Sequence, residues 1–98
     1  MNCLFIVLLR FAGNRAQAGL FLDGHKDWIK RGFDEGVFLL VGSLQRDLGG
    51  AIVAYNTSLS DLQNRVNTDP FVTENVVTGE ILEFLPSRTD ERLAFLLG

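Results

Sequence analysis

The sequence predicts one α+β domain in the order β-α-β-β-α-β, with a four-stranded antiparallel sheet. Three observations predict it. Ninety-eight residues leave room for a single core. Four apolar stretches of strand length alternate with two segments whose apolar residues recur at helical spacing. Gly49-Gly50, behind Gln45-Arg46-Asp47-Leu48, supplies hairpin chemistry between the second and third strands.

The first strand is Cys3 to Leu9, a continuous apolar run of the kind buried on both faces. Phe11-Ala12-Gly13-Asn14 is a turn. Gly19 and Asp23-Gly24 interrupt the helical pattern that follows, and a glycine costs about 1 kcal/mol inside a helix. The expected arrangement is a short turn or helix from Arg15 to about Leu20, then a new helix capped by Asp23 that runs to about Asp34 and stops at Gly36. Ile29 and Phe33 would face the sheet, with His25 and Trp28 on an adjoining stripe. Val37 to Leu44 is the second strand and Ala51 to Tyr55 the third. Ser58 caps a second helix, with Asp61 in the capping-box position and Leu59, Leu62 and Val66 as its apolar stripe. Thr68-Asp69-Pro70-Phe71 ends that helix, because proline disfavours helical geometry in the residue before it. Thr78 to Pro86 is the fourth strand, and Thr89 to Leu97 an amphipathic tail expected to be helical. The domain therefore occupies residues 1–86 and the tail 87–98. The element order is that of the ferredoxin-like split arrangement.

Composition removes several function classes. The net charge is −3, and nine basic residues are spread without a basic stripe, which argues against nucleic-acid binding. The single cysteine, Cys3, makes no intrachain disulfide and reads as a small core residue. There is no metal-ligand cluster, phosphate-binding glycine loop or nucleophile elbow, so neither metal nor cofactor is expected. The apolar opening lacks a basic n-region and ends at Arg10, far short of the ~20 residues that span a membrane. The expected location is cytoplasmic.

Helices cover one face of such a sheet, and the other face should read polar. The first two strands are apolar at both parities. A second copy of the sheet is the natural cover, giving a C2 homodimer and a dimeric α/β barrel. The tail either reaches toward a partner, extending the assembly, or packs along its own chain.

The candidate site is His25, the only histidine, with Asp69. If the first helix starts at Asp23, His25 lies in its first turn, at the same end of the sheet as the finish of the antiparallel second helix, where Asp69 sits. A carboxylate beside an imidazole fixes its tautomer and stabilises imidazolium, whereas the positive end of a helix opposes that charge. The combination suits a general acid/base. Phe21, Trp28 and Phe71 are the expected aromatic walls of a small-molecule pocket, and Arg10 and Arg46 are candidate anion contacts.

In order, the chain shows an apolar strand, His25 with Trp28 three residues on, Asp34-Glu35-Gly36 before a strand reaching Gly42, the Gly49-Gly50 hairpin, Asp69-Pro70-Phe71, and a closing strand. Over about residues 2–86 this resembles the YCII-like family of small dimeric α/β-barrel proteins. The resemblance implies a homodimer with a pocket beside a His-Asp pair and an enzymatic role, with His25 as acid/base and Asp69 as its orienting partner. It also places Ser43 in the pocket wall, where family members usually carry Gly-Pro in place of Gly42-Ser43. A glycine that usually follows the Asp-Pro-aromatic triplet is replaced by Thr73-Glu74-Asn75. The implied activity is a cofactor-independent lyase, isomerase or dehydrochlorinase-type step on a small aromatic or enol-forming molecule. The alternatives are a non-catalytic binding module on the same homodimer and an interaction protein acting through its tail.

Overall fold

The computed structural model describes residues 3–98; Met1 and Asn2, from the leader-like opening, lie outside them. The elements are β1 (Leu4–Phe11), α1 (Ala18–Asp34), β2 (Phe38–Leu44), β3 (Gly49–Ala54), α2 (Leu59–Val66), α3 (Pro70–Thr73) and β4 (Val77–Phe84), with 3₁₀ turns at Arg15–Gln17, Gln45–Asp47 and Glu91–Leu97. The strands form one sheet in the order β2-β3-β1-β4, every pairing antiparallel. The fold is the expected ferredoxin-like α+β arrangement. No helix among the described residues is long and apolar enough to cross a membrane.

Cross-strand register sorts the side chains into two faces, since directly paired residues share a face. Phe5 lies beside Ala54, Val7 beside Ile52 and Leu9 beside Gly50. These face the helices and, with Trp28, Leu62, Val66, Phe71 and Val76, make the core. On the opposite face Leu40, Val53, Ile6 and Leu82 form one continuous row across all four strands. That face is apolar and open: Leu40 is 55% exposed, and Leu82 and Phe84 46% each. In β2 a bulge between Phe38 and Leu40 resets the alternation. Phe38, Val41 and Ser43 consequently share the helix side, a phase that strict alternation from Val37 misses.

The first helix corrects the sequence reading. α1 is one uninterrupted helix of 17 residues, and Asp23 caps nothing, because the helix starts at Ala18 after Gln17. Tertiary burial of Trp28 and Gly32 on its inner face outweighs the cost of its glycines. The inner stripe also differs from the expected one, since Phe33 is 40% exposed and only edges onto the Phe38 ring. Gly32 takes the inward position. A β-carbon there would fall 2.1 Å from the Phe38 ring, so only glycine lets α1 lie directly on β2. The hairpin glycine is equally required: Gly49 has φ of 134°, and a β-carbon would meet the Leu9 carbonyl oxygen at 1.9 Å.

Ser58 caps α2 as expected, its hydroxyl accepting from Asp61 N–H at 3.0 Å. The chain then makes a short helix absent from the sequence reading. Asp69 is the cap of α3 and Pro70 its first residue, a pairing that favours a helix start. The tail is a 3₁₀ segment capped by Asp90, folded against its own chain with Leu96 buried and Phe95 edge-on to Tyr55.

Candidate active site

His25 sits about 10 Å along α1 from its first residue. The helix-start argument for its position therefore fails, and with it the helix-dipole argument. The pair forms all the same. His25 Nδ1 lies 2.8 Å from Asp69 Oδ1. What brings them together is α3, which packs against the middle of α1 and carries Asp69 at its cap position.

Each member is fixed by further contacts. Asp69 is fully buried, and Oδ1 also accepts from Phe71 N–H at 3.0 Å. Its other oxygen, Oδ2, has no hydrogen-bond partner among the described residues. An ionised carboxylate only accepts, so this contact assigns the proton to His25 Nδ1 and leaves Nε2 as the ring's open nitrogen. The imidazole stacks on Phe71 with centroids 3.9 Å apart and planes 3° from parallel. Trp28 lies beyond at 5.9 Å, tied by its indole N–H to the Arg65 carbonyl oxygen at 2.9 Å.

His25 lines a cavity of about 340 Å³ between α1 and the sheet. Leu22, His25 and Ile29 of α1, with Phe71, form the helix wall. The sheet wall comes from the ends of β1 and β2 and the starts of β3 and β4, with Phe11, Ser43 and Ile52 prominent. The space exists because the helix side of the sheet carries Ser43 beside Gly50, where a pair of large side chains would fill it. Among the described residues the lining is apolar, with His25 and Ser43 its only polar side chains and no Asp, Glu, Lys or Arg.

Of the residues expected at the site, the structure brings His25, Phe71 and Ser43 to the wall of this cavity, with Asp69 buried behind His25. It does not bring Phe21 or Trp28 to the wall. Phe21 packs half-buried against the core, and Trp28 is fully buried with its indole turned to Arg65. Neither expected arginine faces the cavity. Arg10 pairs with Glu80 on the open face of the sheet, and Arg46 lies in the exposed loop after β2. Phe11, Leu22 and Ile29 were missed as lining residues. Leu22 and Ile29 are three and four positions from His25 and follow from helix spacing once α1 is continuous.

The class defined by this architecture is a ferredoxin-like α+β domain with a pocket between helix layer and sheet. No family model matches the sequence, and no curated protein matches it. Solved structures do. The chain is similar to 5-chloro-2-hydroxyhydroquinone dehydrochlorinase (TftG) from Burkholderia phenoliruptrix, solved in complex with 2,5-dihydroxybenzoquinone, with a TM-score of 0.63 at 14% identity, covering 83% of this chain and 92% of that one. It is also similar to SnoaB, a cofactor-independent oxygenase from Streptomyces nogalater, with a TM-score of 0.50 at 14% identity, covering 92% and 97% of the two chains. These likenesses establish the shared fold.

Proposed function

We propose that the chain is a small enzyme of the YCII-like type that moves a proton on an uncharged ring compound, aromatic or enol-forming, bound under α1. The observation that carries this reading is the 2.8 Å contact between His25 Nδ1 and Asp69 Oδ1 at the wall of an apolar cavity. Asp69 holds the tautomer in which Nε2 is the base. Nε2 takes a proton from a ring hydroxyl or an enolisable carbon. In an isomerisation, His25 returns it to another carbon. In an elimination such as loss of HCl, the leaving group departs with its bonding pair as the proton is taken. Phe71 stacks on the imidazole and restricts its rotation, and Ser43 offers a second hydrogen-bonding group from the sheet wall. One acid/base suffices for either step.

The substrate class follows from the lining. A carboxylate drawn into this cavity would shed water without meeting a cation, which is costly. An uncharged ring meets Leu, Ile and Phe side chains, with two polar contacts to orient it. On the same fold, a dehydrochlorinase solved with 2,5-dihydroxybenzoquinone supports the reading as a precedent for ring chemistry, and a cofactor-independent oxygenase as a precedent for catalysis without a cofactor. The assembly in this reading is a cytoplasmic homodimer joined through the open sheet face, whose apolar row runs through Leu40, Val53, Ile6 and Leu82.

A binding module on the same dimer is the second reading. The observation favouring it is that Asp69 Oδ1 already has a structural task, capping α3 through Phe71 N–H. A thermal-shift screen on wild type and His25→Ala separates the two. Hydroquinone and an unsaturated lactone are expected to stabilise the wild type, and 4-hydroxybenzoate to bind at least about tenfold more weakly. In the enzymatic reading, His25→Ala stays folded and loses turnover of the hits. If it binds the hits and turns them over as wild type does, the acid/base reading is wrong. If it unfolds, His25 is structural.

A further inference from the structure

Gly24 precedes His25 on α1, and Pro70 follows Asp69 on α3. These neighbours of the pair touch each other. A β-carbon built on Gly24 would lie 3.2 Å from Pro70 Cγ and 3.7 Å from Pro70 Cβ, so the proline ring rests on the bare helix backbone. Gly24 ends no helix and caps none, because α1 runs through it. Its location under Pro70 is the structural reason for a glycine there. Gly19 in the same helix has no such neighbour within 4 Å.

From this junction we infer that the bare backbone at Gly24, by letting Pro70 close on α1, sets the separation of His25 and Asp69, making Gly24 a positioning residue of the pair. The carboxylate cannot adjust on its own. Asp69 Oδ1 is held by Phe71 N–H, so it moves with α3 as one body. Pro70, at the first helical position, has its φ fixed by its ring. The imidazole is held from the other side by its stack on Phe71, which is also part of α3. The closeness of α1 to α3 therefore decides whether Nδ1 and Oδ1 meet at 2.8 Å or stand apart. A methyl group at position 24 sits inside ordinary contact distance of Pro70 Cγ. It is relieved when α3 moves outward by a few tenths of an ångström, and the hydrogen bond lengthens by a similar amount. This inference takes its functional meaning from the acid/base reading above.

His25 is the only histidine, so its ring gives a single reporter. The experiment is NMR of the ligand-free protein, reading the His25 Nδ1–H resonance and its exchange with solvent. In wild type this proton is expected downfield and protected by the carboxylate. G24A is expected to move it upfield, toward its position in D69N, and to speed its exchange by about tenfold. The melting temperature of G24A should stay unchanged or rise, because alanine is the better helix former. P70A alone should keep the wild-type signal, and G24A/P70A should restore it, since the proline ring carbons that the methyl meets are gone. The inference is overturned if G24A keeps the wild-type resonance and exchange rate, or if the double variant fails to restore them. A melting temperature that falls in step with the lost signal, with no rescue, makes Gly24 a packing residue only and also overturns it. No ligand enters the measurement, so its result is independent of whether any ring compound is turned over.

Discussion

Asp69 carries more of the structure than a lone carboxylate usually does. It is buried, caps α3 and accepts from His25, all through one oxygen. Asp69→Ala should therefore cost about 2–3 kcal/mol in urea unfolding, combining a lost helix cap with an imidazole nitrogen left without its partner. Asp69→Asn keeps an oxygen for Phe71 N–H and should cost less, while removing the charge that orients His25. A stability of Asp69→Asn equal to that of Asp69→Ala would show that the cap is not what the carboxylate supplies. Trp28 provides a contrast. Its residue type and its distance from His25 in sequence suggested a pocket wall, yet its indole N–H is used by the Arg65 carbonyl oxygen in the core. Trp28→Phe should lose about 1 kcal/mol for that hydrogen bond and leave the cavity unchanged. The residue types at the site were legible in the sequence: a single His, an Asp before Pro, and an aromatic after it. Which aromatic would stack on the histidine was not legible, because that depends on where α3 docks.

The helices show how a glycine misleads when only local propensity is weighed. Gly24 beside Asp23 looks like a break, whereas in the fold it is a place where another element approaches. Position 32 is the extreme case, and the three glycines of α1 make a clean comparison. Gly32→Ala should destabilise by about 2 kcal/mol or more, because Phe38 has to leave its site. Gly19→Ala, with nothing within 4 Å, should stabilise by up to about 1 kcal/mol. Urea unfolding of both variants checks the pair, and equal effects would contradict the packing argument. The strands were placed within a residue or two by their apolar runs, but the β2 bulge was not legible because nothing local to Val37–Leu44 demands it. The tail adds an acid-sensitive element. The Arg92 side chain, and then its backbone N–H, hold the Asp90 carboxyl below its ordinary 3.8. A depressed folded value means the contribution is present above 3.8 and lost as pH falls through the lower folded value. The Arg92 amide should therefore lose its protection from exchange only below that range, and Asp90→Asn should show weaker protection already at neutral pH.

For the whole molecule, the apolar face of the sheet is the feature that a single chain does not explain. Domains of this size bury only about 60–65% of the surface their unfolded chains expose, so a second copy adds much of the missing burial. Light scattering should give twice the 10.9 kDa chain mass, and Leu82→Glu on the open face should return it to the monomer mass. A wild-type monomer at micromolar concentration contradicts the dimer. The fold class was readable because element order and alternation are properties of the chain itself. The site was only half readable, because His25 and Asp69 meet through α3, a four-residue helix whose docking on α1 is a tertiary event. The central claim is that His25 presents a free Nε2 to a ring compound in the cavity while Asp69 holds Nδ1. A titration of the imidazole-labelled protein with hydroquinone, followed by nitrogen NMR, tests it most directly. The account predicts that saturating hydroquinone shifts the Nε2 resonance and leaves Nδ1–H protected. Binding that leaves both His25 nitrogens unchanged would contradict it.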